Sequence, residues 1–121
     1  MDNINASLTF IPGKTYRLRF ISMAGFVQYF VSIDGHQMDV IEVDGIEVQR
    51  HTVDVISLTA AQRVSVLVTA KNNTSLNYNM HASMDIDMLD TVPDTLQPSK
   101  LPIFVLFFPL GLVTFHSIRI L

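Results

Sequence analysis

The 121 residues include no cysteine and no tryptophan. Without a thiol there can be no disulfide, thiolate zinc site, cysteine nucleophile or blue-copper centre, which needs a thiolate ligand. Charge is scarce too. Charged residues make up 16% and hydrophobic residues 49%, the reverse of the balance that keeps a chain disordered. Eleven acidic residues against eight basic ones give a net charge of −3, so no cationic excess exists to neutralise phosphates and nucleic acid is not a partner. Three tyrosines and no tryptophan give no aromatic platform for a carbohydrate. The length suits one domain with one core.

No signal peptide is read at the start. Met1 is followed by Asp2, Asn3 and Asn5, with neither a basic region nor an apolar stretch. Taken at face value the chain starts in the cytosol, and its location stays unknown. Near the other end, Leu101 to Phe115 run for 15 residues without a charge. That is shorter than the roughly 18 to 20 residues a membrane-spanning helix needs. Pro102, Pro109 and Gly111 also suit neither a clean helix nor a central strand.

The first hundred residues carry strand signals. Pro12-Gly13 marks a turn, and after it Tyr16, Leu18 and Phe20 alternate with Thr15, Arg17 and Arg19. Residues 26–33 form a second apolar run, ended by Asp34-Gly35. Residues 38–43 form a third, followed by Asp44-Gly45, a strong hairpin signal between apolar flanks. A fourth begins at Val53, Val55 and Ile56, and Val64, Val66 and Val68 alternate with polar residues in a fifth. Residues 71–77 are a polar loop, 78–83 a short sixth strand, and Asp85 to Leu89 the one plausible helical piece. Strands at this spacing predict an all-β sandwich or barrel. At Pro98 the composition shifts abruptly, and beyond it only Lys100 and Arg119 are charged.

The runs IPGKTYRLRFISMAGF (11–26), FVSIDGHQMDVIEVDGIEV (30–48), VDVISLTAAQRVSVLVTAKNNTS (53–75) and MDIDMLDTVPDTLQ (84–97) occur in that order. Together they resemble the second, plastocyanin-like domain of fungal multicopper oxidases, in the iron-transport ferroxidase branch. The resemblance covers about residues 3 to 97. It implies a cupredoxin-like Greek-key β-sandwich over 1–97, with an anomalous apolar tail over 98–121. In this family copper ligands come as His-x-His pairs and a His-Cys-His segment in the first and third domains, and the second domain packs those two together. The resemblance therefore implies a copper-free structural domain. It implies copper only in the parent, domains one and three as partners, and an extracellular or cell-surface parent.

The four histidines agree with that expectation. No two of His36, His51, His81 and His116 lie within four residues of each other, so no local chelating pair exists. A turn or inter-strand histidine bonded to backbone is the expected role of His36, and His51 and His81 are read the same way. His116 supports no inference. Met23, Met38, Met80, Met84 and Met88 lack the close spacing of a copper-binding tract and read as core or gap filling. Arg17, Arg19 and Arg63 read as solvated or salt-bridged strand faces.

Asp85, Asp87, Asp90 and Asp94 crowd into ten residues. In the resembled branch this stretch carries carboxylates that guide iron, and by position Asp85 and Asp90 match them. Clustered carboxylates attract oxygen-seeking iron cations. A solvated acidic loop or helix N-terminus is the alternative reading of the same residues. Asn72-Asn73-Thr74 and Asn73-Thr74-Ser75 are overlapping glycosylation sequons, which makes Asn72 and Asn73 candidate glycan sites, and Asn5-Ala6-Ser7 is a third sequon.

The chain departs from the family pattern at both ends. Met1 precedes the Pro-Gly turn by few residues, which predicts a sandwich incomplete at its N-terminal edge, and residues 98–121 replace an expected alternating strand. A truncated gene product is the simplest expectation. The rivals are a tail that folds onto the core in place of a strand, or one that touches a membrane interface through Phe104, Phe107 and Phe108. Two other functions stay open: part of a laccase-like oxidoreductase, and a stand-alone binding module.

Overall fold

The alternation of Thr15–Ser22 decides the architecture. Leu18, Phe20 and Ser22 are buried while Thr15, Arg17 and Arg19 face solvent, so this strand lies on a core with one face only. The computed structural model describes residues 7–73, 75–96, 103–107 and 117–120, the last two stretches as backbone. Ten strands are described: β1 (Ser7–Phe10), β2 (Thr15–Ser22), β3 (Tyr29–Ile33), β4 (Met38–Val43), β5 (Ile46–Val53), β6 (Val55–Leu58), β7 (Arg63–Thr69), β8 (Tyr78–Met84), β9 (Ile103–Phe107) and β10 (Ser117–Ile120). They form two five-stranded sheets, ordered β1-β9-β8-β3-β6 and β10-β2-β7-β4-β5. The β1–β9 and β10–β2 pairs are parallel and the rest antiparallel.

The core lies between the sheets. Val31 and Ile33 of β3, Ile56 and Leu58 of β6, and Met80 and Ala82 of β8 face Leu18 and Phe20 of β2, Met38 of β4, and Val64, Val66 and Val68 of β7. Phe20, Val31, Met38, Leu58, Val66 and Val68 have no exposed surface. Burying side chains of this size contributes about 1.5–3 kcal/mol each. At one margin the ring of Phe10 stacks on Tyr16 at 4.3 Å, and the Tyr16 hydroxyl accepts the Ile11 N–H at 2.7 Å.

The Asp44-Gly45 hairpin forms as the sequence predicts. Asp44 has φ of 51° and Gly45 of 84°, the left-handed pair that a two-residue turn between twisted strands requires. Its second arm, β5, is exposed from Ile46 through Thr52, so it lacks the alternation that marks a strand. The predicted helical piece is a single 3-10 turn, Ile86–Met88.

Strand pairing crosses the compositional break at Pro98. The segment Ile103–Phe107 lies between β1 and β8, and Ser117–Ile120 runs beside β2. The break itself, Asn5 with its sequon, and His116 lie outside the described residues, and so do the side chains of Phe104, Phe107 and Phe108. Among the described residues no helix is long and apolar enough to cross a membrane.

Candidate functional site

The acidic stretch leaves β8 at one end of the first sheet. Asp85 is the N-cap of the 3-10 turn: its Oδ1 accepts the Asp87 N–H at 3.2 Å. Its own N–H donates to the Gln28 carbonyl at 2.9 Å, which ties the stretch to the segment leading into β3. The Gln28 N–H in turn donates to the Met88 sulfur at 3.4 Å. A short side chain with an acceptor oxygen in extended conformation satisfies the first orphan amides of a turn, which is why an aspartate stands at position 85. The turn closes with the Leu89 N–H on the Ile86 carbonyl at 3.0 Å.

Asp85 is half-buried, whereas Asp87, Asp90 and Asp94 are exposed. The turn thus joins Asp85 to Asp87 directly and presents Asp90 and Asp94 on the surface that follows. Among the described residues no three His, Asp or Glu side chains are gathered to hold a metal ion. The arrangement is an open row of carboxylates beside exposed apolar side chains, Ile86, Met88 and Val92. Chemically it can draw a cation by its field, without enclosing it.

His36 is buried and engaged by backbone on both ring nitrogens. Nδ1 lies 2.8 Å from the Asp34 carbonyl oxygen, and Nε2 accepts the Lys71 N–H at 3.3 Å. The ring stands edge-on to Tyr78, with centroids 4.7 Å apart. His81 turns its Nε2 to Asp34 Oδ1 at 3.0 Å. His51 is exposed on β5 of the second sheet, paired with Val40 of the neighbouring strand β4. Sequence reasoning missed that His36 and His81 converge on Asp34. The turn Ile33-Asp34-Gly35-His36 was visible, but its partner strand was not.

Asn72 and Asn73 are exposed on the loop after β7. Asn73 Oδ1 accepts from the Ser75 N–H at 3.0 Å and from its hydroxyl at 2.5 Å. On the outer face of the second sheet the arginines are paired: Arg17 with Glu42 at 2.6 Å, Arg19 with Glu42 at 3.7 Å and Arg63 with Asp44 at 3.6 Å. On the same face the Thr52 hydroxyl donates to Asp39 Oδ1 at 2.5 Å, and Arg50 binds the other carboxylate oxygen. These two hydrogen bonds, Thr52 first, and the charge of Arg50 outweigh desolvation and hold the Asp39 carboxyl below the usual aspartate range. Met38 and Met80 fill the core, while Met23 and Met88 are exposed.

Comparisons with known proteins place this geometry. The multicopper oxidase family model matches residues 2–100. The chain is 51% identical over 98 residues to the iron transport multicopper oxidase fio1 of Schizosaccharomyces pombe, covering 81% of this chain and 16% of that protein. It is 51% identical over 94 residues to the iron multicopper oxidase fer1 of Mycosarcoma maydis, covering 77% of this chain and 15% of that one. Among solved structures, Fet3p, described as a multicopper oxidase that functions in iron import, superposes with a TM-score of 0.80 at 33% identity over 94% of this chain and 22% of its own. A laccase from Botrytis aclada shares the fold alone, with a TM-score of 0.74 at 22% identity over 93% of this chain and 20% of the laccase. The sandwich is therefore cupredoxin-like, and it spans about a sixth of the length of these curated relatives.

Proposed function

The chain belongs to the multicopper oxidase family, and we propose that it is a copper-free structural domain of an iron-transporting member, the second of three sandwich domains. In this reading it packs domains one and three together. One observation carries it: 51% identity to an iron transport oxidase, over 98 residues. The laccase likeness at 22% identity supports the fold and no substrate, so iron is favoured over phenols.

The described donors of this chain do not fit the family's coppers. A blue copper needs a thiolate, and the sequence has no cysteine. His36 spends both nitrogens on backbone groups, His81 faces Asp34, and His51 belongs to the opposite sheet. No step of copper chemistry is routed through these residues.

What the chain offers iron is charge. In this reading Asp85 and Asp90 are path carboxylates for iron as substrate, and Asp87 and Asp94 deepen the same negative field. Oxygen donors suit iron in both oxidation states. The capping bond holds the Asp85 carboxylate in one orientation. The exposed loop bearing Asn72 and Asn73 suits a glycan in an extracellular or cell-surface parent.

The test is an exchange. Residues 7–96 replace the matching stretch of the fio1 oxidase, with and without Asp85→Asn and Asp90→Asn. The expected result is full copper content in every chimera, with kcat/KM for iron(II) lowered by the aspartate changes and phenol oxidation unchanged. Equal loss on both substrates would overturn the iron-path assignment. A chimera that takes up less copper before any aspartate is changed would overturn the structural one.

A further inference from the structure

His36 is a titratable ring only 8% exposed that the proposed function does not use. Its two backbone partners fix its tautomer. The Asp34 carbonyl only accepts, so Nδ1 carries the proton, and Nε2 offers its lone pair to the Lys71 N–H. The ring thus bridges three segments: the turn after β3, the root of the loop after β7, and Tyr78 at the start of β8.

We propose that His36 is a proton-operated clasp on the root of the loop after β7, at Lys71. An imidazolium carries protons on both nitrogens and cannot accept a hydrogen bond. Protonation would set the Nε2 proton against the Lys71 N–H, donor against donor, and the loop root would be released. The opening is local, because the residue before the loop is held independently. The Ala70 N–H donates to the Lys14 carbonyl at 2.8 Å, and the Ala70 carbonyl accepts the Gly13 N–H at 2.9 Å.

The charged and titratable groups around the ring, among the described residues, come from each packed element. Lys71 places its ammonium 5.8 Å from the Tyr78 ring centroid, over the Asp34-Gly35 turn. The Asp34 carboxylate is engaged by His81 from β8. Tyr78 stands perpendicular to the imidazole, with ring centroids 4.7 Å apart. The loop so controlled is the one that bears Asn72 and Asn73, so acid would change the presentation of that surface while the sandwich stays folded.

The experiment is nitrogen-15 NMR of the full chain across a pH series from about 7.5 to about 5. It reads the His36 ring shifts and the amide protection factors of Lys71 and Val66, corrected for intrinsic exchange. The expected result is an Nδ1–H ring at the upper end. As the ring protonates, Lys71 protection falls about tenfold, the worth of one hydrogen bond, while Val66 in β7 keeps its protection. His36→Phe should show low Lys71 protection at every pH, and His81→Gln should leave the response in place. If the phenylalanine variant does not fold, the wild-type titration alone decides. An Nε2–H ring, a ring neutral throughout, Lys71 protection that ignores ring protonation, Lys71 and Val66 opening together, or loss of the response in His81→Gln would each overturn the clasp.

Discussion

Arg17 of β2 and Glu42 of β4 meet at 2.6 Å across the intervening strand β7, over the hydroxyl of Ser65. That hydroxyl donates to Glu42 Oε1 at 3.1 Å, and Ser65 is 1% exposed. A polar residue on the outer face of a sheet is thus sealed by the ion pair above it. The two partners should not be equivalent. Arg17 is 42% exposed at its side chain, so its charge is largely screened and Arg17→Ala should cost up to about 1 kcal/mol. Glu42→Ala also strips a buried hydroxyl of its acceptor and should cost about 1–3 kcal/mol. Urea denaturation of both variants checks the order, and Glu42→Gln, which keeps an acceptor, should fall between them.

Asp39 makes stability depend on acid. Its carboxyl is held below the ordinary aspartate value of about 3.9 by Thr52 and Arg50. A depressed folded-state value means that the contribution is fully present above the unfolded value and is lost as pH falls through the folded one. Thermal melts of wild type and Asp39→Asn should therefore differ most near neutrality and converge below about pH 4. A difference that is constant over this range would contradict the assignment.

Two phenylalanines close in sequence should behave oppositely. Phe20 is fully buried, and Phe20→Ala should cost about 3–5 kcal/mol, a large part of a domain's total of about 5–15 kcal/mol. Phe26 is 64% exposed, and Phe26→Ala should stay within about 0.5 kcal/mol. Circular dichroism against denaturant separates them.

Two glycines separate backbone strain from crowding. Gly45 has φ of 84° with open space where a Cβ would stand, so Gly45→Ala meets left-handed strain alone, about 1–2 kcal/mol. Gly13 has φ of 75° and places that Cβ 2.9 Å from Asn72 Oδ1. Gly13→Ala should therefore destabilise more than Gly45→Ala, and Asn72→Ala should shrink the gap when combined with it.

Most strands were legible where one face is buried, because burial enforces a period of two: Leu18 and Phe20, or Val64, Val66 and Val68, point inward at every second residue. The sequence hid β5, an edge strand whose residues 46–52 are all exposed and hence under no such constraint. It also hid the pairing of Ile103–Phe107 between β1 and β8, since an apolar run with prolines carries no register. In the candidate site, the acidic crowding and the short turn were legible. A helix N-terminus was among the readings of that stretch, and Asp85 caps the turn. The meeting of His36 and His81 at Asp34 was not legible, because the His81 contact comes from a strand distant in sequence.

The proposal that this member of a copper-enzyme family holds no copper itself has a simple consequence. Its most direct test is copper content of the purified chain, measured by mass spectrometry after incubation with copper ions and exhaustive dialysis, with visible absorption recorded alongside. The expected result is copper far below one ion per chain and no blue band. Stoichiometric copper that survives dialysis, and is lost on substitution of His36 or His81, would contradict it.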